Sequence, residues 1–287
     1  MPWTLSAFAD EAGDSTDEQL QALAEGGLKL IDPRNVDGHN IAGLPLDHAE
    51  QVARRYEAAG IRVNMFGSPI GKIDIADDVQ TDLDKLEHLG KLKQIFGCDG
   101  VRMFSYFNKA GAPRDQWRDQ ALDNLRRLRD KAGQLGLVLY HENESDIFGD
   151  HSDHVLEIAE LRDGKTFRLI YDFANYIRTG EAGWDTWQKL RDQTDYFHFK
   201  DQKKTGEHTP MGEGDTDARR ILEDAAKAGW EGGCTLEPHL KFSKAVLATH
   251  ASGTGSQALA DLNEKQLMQV AIERAKAVLD GLSIAYT

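Results

Sequence analysis

The chain has 287 residues and a formal net charge of −14, from 48 acidic and 34 basic residues, and 40% of its residues are hydrophobic. A field of that sign repels nucleic acid and anionic membrane surfaces, so neither is an expected partner. No apolar run approaches membrane-spanning length, and the opening "MPWTLSAFADEAGDS" has no basic segment followed by a long apolar core. The two cysteines, Cys98 and Cys234, form no CxxC pair. The expectation is a cytoplasmic protein with reduced, buried thiols.

A short apolar run followed by a polar helical pattern recurs along the chain. "WTLSAFA" precedes a predicted helix over 15–25, "LKLID" one over 45–59, and "GIRVNMF" one over 77–96. "DGVRMF" precedes 114–135, "GLVLYHE" 151–161, "FRLIYDF" 184–191, "DYFHFK" 215–228 and "GGCTLE" 256–282. Gly60, Gly97, Gly136 and Gly229 stand where helix C-caps belong. Alternation of this kind predicts a parallel sheet, and eight units predict a single (β/α)8 barrel over residues 1–287. No GxGxxG follows the first strand, which counts against a dinucleotide-binding doubly wound sheet; no organic cofactor is expected. The connection at 241–257 is longer than usual and is a candidate lid or interface insertion, with a homo-oligomer as the corresponding expectation.

A barrel places its chemistry at the C-terminal ends of its strands. Reading those ends gives Glu142, Asp172, His198 and Glu237, closing the fifth to eighth runs. Each residue alone has a structural alternative; Asp172, for instance, could be the N-cap of the turn in "DFAN". Together at one mouth, three carboxylates and a histidine repel unless a cation lies between them. Oxygen ligands with one imidazole suit Mg²⁺ or Mn²⁺, with Zn²⁺ or Co²⁺ compatible. One divalent ion flanked by two glutamates suits proton removal next to a carbonyl. Glu142 and Glu237 would take and return the proton around an enediolate. Return on the opposite face is epimerisation, and return to the neighbouring carbon is aldose–ketose isomerisation.

The motifs "SPIGKIDI", "RMFSYF", "HENESDIFGD", "YDFANYIRTG", "HFKD", "MGEGD" and "TLEPHL" occur in this order. In them the chain resembles the xylose isomerase-like TIM-barrel superfamily, and within it the sugar phosphate isomerase/epimerase group. The resemblance implies that Glu142, Asp172, His198 and Glu237 are metal ligands. It also implies that Glu142 and Glu237 act as acid and base on a small-molecule keto-sugar or 3-keto-glycoside. Some relatives with the same "HEN" run eliminate or cleave 3-keto-glycosides, and there the histidine before the metal glutamate serves as acid/base. His141 is the matching position, so a metal-dependent lyase or hydratase is the alternative. Strand alternation, however, points His141 away from Glu142. Ketose epimerase-like members carry a histidine three residues after the metal aspartate, where this chain has Asn175. An amide hydrogen-bonds a sugar hydroxyl but does not titrate as imidazole does. Glu213 and Asp215 in the "GEGD" turn oppose a phosphate group, so an unphosphorylated sugar is expected.

Further candidates for substrate contact follow from position. Lys200 shares a strand face with His198, and Arg102 lies inside the fourth strand, where a guanidinium needs a partner. Lys72 sits in the loop after the third strand. His239 shares the face of Glu237 if the strand continues past Pro238. Arg34 and Asn35 end the second strand. Phe8, Phe66, Phe104 and Tyr106 are candidates for an apolar wall, and His208 precedes the "MGEG" turn.

Overall fold

A computed structural model of the chain describes residues 1–247 and 253–287. Eight parallel strands form its centre: β1 (Thr4–Ala7), β2 (Leu30–Ile31), β3 (Arg62–Val63, resuming as Met65–Phe66), β4 (Gly100–Met103), β5 (Val138–Glu142), β6 (Phe167–Asp172), β7 (Tyr196–Phe199) and β8 (Gly233–Leu236). A seven-stranded sheet runs from β1 through β8, β7, β6, β5 and β4 to the second half of β3. β2 pairs with the first half of β3, and Asp32 N–H donates to Ala7 C=O of β1 at 3.0 Å. The ring of strands is therefore closed, as a (β/α)8 barrel requires.

Helices α1 (Thr16–Gly26), α2 (Leu46–Ala58), α3 (Gln80–Phe96), α4 (Arg114–Leu135), α5 (Ser152–Ala159), α6 (Gly183–Leu190), α7 (Ala218–Lys227) and α8 (Glu264–Gly281) follow the strands in turn. Ser15 and Glu18 form a capping box that starts α1, and Asn263 and Gln266 form another that starts α8. The second box explains why α8 begins eight residues later than the pattern over 256–282 predicts. α7 likewise starts at Ala218, because the preceding residues fold around Asp201. The four glycines expected as caps all have positive φ, where a side chain would be strained. A short helix, Phe173–Arg178, directly after β6 was not foreseen. Residues 248–252 of the 241–257 insertion lie outside the described residues. The described residues on either side are held down: Ser256 N–H donates to Leu240 C=O, and Glu207 bridges to Thr254.

Apolar residues fill the space between strands and helices. The barrel interior is different. There a small apolar group of Met65, Ile170 and Tyr196 adjoins a polar floor. Buried Asp32 accepts hydrogen bonds from Ser6 Oγ (2.7 Å), Asn64 Nδ2 (2.8 Å) and Thr235 Oγ1 (2.6 Å). The Tyr196 hydroxyl joins Asn64 and Thr235. Cys98 and Cys234 are buried free thiols.

Candidate metal centre

Strand register brings the four predicted ligands to one level. His198 is paired with Asp172 on one side and with Thr235, two residues before Glu237, on the other. Glu142 ends β5, opposite Ile170. Ligand-type atoms of Glu142, Asp172, His198 and Glu237 lie within 4.8 Å of one another, and all four side chains are buried. His198 Nδ1 is 3.0 Å from Glu142 Oε1 and 3.3 Å from Glu237 Oε2. Yet both ring nitrogens of His198, together with Glu142 Oε2, Asp172 Oδ2 and Glu237 Oε2, lack hydrogen-bonding geometry to any partner. Buried polar atoms are ordinarily satisfied. Three carboxylates and an imidazole converging on one point fit a hard divalent ion.

The electrostatics agree. Burial pushes the Asp172 carboxyl up to about 7, against the pull of Lys200. Burial opposes charge on His198, but the Glu142 and Glu237 carboxylates outweigh it and raise the imidazolium to about 9. Burial and close-set carboxylates thus favour protons on Asp172 and His198, a role that a bound metal would take over.

Asp172 is the N-cap of a short helix and also a member of the cluster. Its Oδ1 accepts the Asn175 N–H at 2.9 Å and caps the helix Phe173–Arg178, while its Oδ2 faces the cluster. Asn143 clasps the Asp172 backbone: its Oδ1 accepts from Asp172 N–H (2.8 Å) and its Nδ2 donates to Asp172 C=O (3.1 Å). Asn175 Nδ2 in turn donates to Asn143 C=O at 2.8 Å. The Asn175 donor expected for a sugar hydroxyl is thus engaged with the backbone; its Oδ1 is buried without a partner. Asn143 was missed, although its place between two glutamates at a strand end was a usable signal.

Three cationic side chains touch the cluster, and two more hold the neighbouring Glu144. Lys200 Nζ is 2.9 Å from Asp172 Oδ2 and 3.7 Å from Glu237 Oε2, not paired with its neighbour Asp201. Arg102 Nη1 lies 3.3 Å from Glu142 Oε2 and 3.4 Å from Glu237 Oε1. Arg34 Nη1 donates to Glu237 Oε1 at 2.9 Å. Lys72 bonds Glu144 at 3.1 Å and lies over the Phe104 ring, and Arg178 reaches the same glutamate. The loop that carries Lys72 lies tight against the fourth strand: Gly71, at φ 83°, approaches Phe104 C=O so closely that a Cβ would sit 2.1 Å from the oxygen. His239 does reach the site, with Nε2 3.3 Å from Glu237 Oε1. Asp10 and Glu11, just past β1, also belong to it and were missed because they sit in a 3₁₀ turn, not at the strand's last residue. Of the aromatic candidates, Phe8 packs directly on the cluster: both Arg34 and Arg102 stack on its ring, and it meets His198 edge-on.

His141 corrects the expectation of an acid/base at the mouth. It pairs in register with Met103 and Leu169 and faces outward, under α5. A Cβ at Gly149 would lie 2.5 Å from its Cε1. Burial alone lowers its imidazole to about 3, so it is neutral. The pleat, which sends neighbouring side chains to opposite faces, decides this.

The "GEGD" turn is closed to phosphate for a reason other than Glu213 and Asp215. Asp201 Oδ2 accepts the N–H groups of Gly212 (2.7 Å) and Gly214 (3.0 Å). Its Oδ1 accepts from Thr216 Oγ1 (2.6 Å) and Gln202 N–H (2.9 Å). The anion these amides could hold is already a side chain.

The chain is similar to a 3-dehydroshikimate dehydratase of Bacillus anthracis, 19% identical over 181 residues, which are 63% of this chain and 64% of that protein. A crystal structure of a probable 3-DHS dehydratase from the same organism superposes with a TM-score of 0.70 at 17% identity, covering 96% of this chain and 99% of the other. A xylose isomerase-like TIM-barrel protein of Mycobacterium smegmatis in complex with magnesium gives 0.69 at 17% identity, covering 98% and 96%. The 3-keto-D-glucoside 4-epimerase of E. coli gives 0.66 at 15% identity, covering 99% of each. The model of the xylose isomerase-like TIM-barrel family matches residues 20–261, and with a closed eight-stranded barrel the chain belongs to that family.

Proposed function

We propose that the protein is a divalent-metal-dependent isomerase or epimerase acting on an unphosphorylated keto-sugar or 3-keto-glycoside. The observation that carries this reading is the convergence of buried ligand-type atoms of Glu142, Asp172, His198 and Glu237 within 4.8 Å of one another. A divalent ion held there would supply Lewis-acid polarisation of a substrate carbonyl and the adjoining hydroxyl, with Mg²⁺ or Mn²⁺ best suited to the donors. Glu142 and Glu237 rise from strands separated by two others and each directs one oxygen inward, so they address the substrate carbon from different sides. One removes the α-proton and the other returns it. Arg102, touching both glutamates, and Lys200 stabilise the negative charge that develops on the substrate oxygens.

A second reading, β-elimination, begins with the same proton removal and is favoured by the similarity to a 3-dehydroshikimate dehydratase. With His141 facing away from the mouth, the acid for the leaving group would be Lys200, whose ammonium adjoins the cluster.

The deciding experiment is incubation in D₂O with Mn²⁺ or Mg²⁺ and a panel of free ketoses, sugar phosphates, 3-keto-glycosides and 3-dehydroshikimate, followed by NMR. Deuterium at one carbon with a new stereoisomer or aldose is the expected result. A new alkene signal selects elimination. Absence of exchange with every panel member, in protein shown to hold the metal, overturns both readings.

A further inference from the structure

The Arg34 guanidinium occupies a second nest of acidic groups beside the first. Its Nε and Nη2 bind Asp10 bidentately at 2.9 and 3.0 Å, its Nη1 donates to Glu237 Oε1 at 2.9 Å, and its Nη2 reaches Glu11 Oε1 at 3.4 Å. His239 Nε2 lies 3.5 Å from Glu11 Oε1 and 3.3 Å from Glu237 Oε1. Glu11, Glu237 and His239 by themselves satisfy the spacing of a metal site, all three buried. Glu237 therefore stands between two clusters, with Oε2 toward Glu142, Asp172 and His198 and Oε1 toward Glu11 and His239. That is the disposition of a carboxylate bridging two cations.

We propose that Arg34 is a tethered substitute for a second metal ion, and that its guanidinium is what keeps the centre mononuclear. The inference rests on the metal centre proposed above. The donors suit a divalent ion as well as a guanidinium: carboxylate oxygens of Asp10, Glu11 and Glu237 with the His239 imidazole. Arg34 is buried, and Phe8 packs on its guanidinium, so two cations would have to share one set of oxygens for an ion to enter while it is present. Arg102 does not fill the same role, since it contacts Glu237 Oε1 only at 3.4 Å and spans to Glu142 instead. A bound guanidinium also fixes Glu237 with one oxygen turned outward, which aims the other into the cluster.

The test is metal stoichiometry and Mn²⁺ EPR, neither of which depends on turnover. Wild-type protein loaded with excess Mn²⁺ and desalted is expected to retain one equivalent with an uncoupled spectrum. Arg34→Ala is expected to retain two equivalents with the exchange-coupled spectrum of a carboxylate-bridged pair. Added guanidinium should restore the one-equivalent state, and Arg34→Ala combined with Glu11→Gln should also bind one. Two equivalents in the wild type overturn the proposal whether or not the variant folds, and a folded Arg34→Ala that binds one ion overturns it too. A wild type that binds none removes the metal centre itself, a separate outcome. Arg34→Lys, which keeps a charge in place, should stay at one equivalent; two would also count against the proposal.

Discussion

Lys200 Nζ lies 2.9 Å from Asp172 Oδ2, with both side chains buried at the ends of neighbouring strands. An ammonium thus sits against an oxygen that also faces the candidate metal cluster. Removing one partner of such a pair leaves an uncompensated buried charge. Lys200→Met should destabilise the metal-free protein by roughly 3–5 kcal/mol. The loss should shrink when Mn²⁺ is present, because the ion neutralises Asp172. Thermal melts with and without Mn²⁺ check this; an equal loss in both would mean that Lys200 acts elsewhere.

Chelation supplies the next prediction. An ion that binds only the folded state stabilises it by about 2.7 kcal/mol at a hundredfold excess over its dissociation constant. Wild-type protein should therefore melt several degrees higher with Mn²⁺ or Mg²⁺ than with EDTA. Asp172→Asn and Glu142→Gln should each abolish most of that difference. Asp172→Asn should retain part of the helix cap, since the amide oxygen can still accept the Asn175 N–H.

His141 faces α5, so His141→Leu should leave kcat within several-fold of wild type. A loss beyond a hundredfold in a folded variant would place the ring in the chemistry. Gly149→Ala, whose new methyl would press on the same ring, should destabilise by about 1–3 kcal/mol, read as a lowered urea midpoint.

The His154–Asp150 pair supplies a pH signature of its own. The hydrogen bond to Asp150 raises the His154 imidazolium. Burial would raise the Asp150 carboxyl, but His154 and His151 outweigh it and hold it low. The histidine's contribution is complete below its unfolded pKa, near 6.5, and is lost as pH rises through its raised folded value. The aspartate's contribution is present above its unfolded pKa, near 3.9, and lost as pH falls through its lowered one. The pair therefore stabilises most between these limits, by under about 1 kcal/mol given its partial exposure. His154→Gln should flatten stability between pH 6 and 8; an unchanged slope would refute the pairing.

Asp201 holds four donors at the "GEGD" turn. Asp201→Ala should cost about 3 kcal/mol, since buried amides lose a charged acceptor. The same variant should gain weak affinity for inorganic phosphate, measurable by calorimetry and absent from the wild type.

The barrel was legible because strand, helix and glycine cap recur eight times with clear punctuation. The convergence of Glu142, Asp172, His198 and Glu237 was legible for the same reason: each ends an apolar run, and one topological rule brings such ends together. Asp10 and Glu11 escaped that rule because the chain turns before reaching them, so adjacency to a strand end carries no label in the sequence. Arg34 was read as a substrate contact because its partner Glu237 lies 203 residues away. Only closure of the barrel makes them neighbours. The start of α8 was misplaced because helical periodicity continues through residues whose backbone is committed elsewhere. The His141 placement was foreseeable from the pleat alone, and there the local rule was a better guide than the family resemblance.

The polar floor around Asp32 has a thermal consequence. Hydrophobic attraction weakens on cooling, whereas hydrogen bonds enclosed by protein depend on it far less. The outer ring of helices, seated on hydrocarbon, should loosen before the strands that carry the ligands. In hydrogen exchange of cooled or mildly denatured protein, the amide of Asp32 should belong to the last group to exchange, after those on the inner faces of α2 and α5. The ligands would then keep their relative positions while the shell around them breathes.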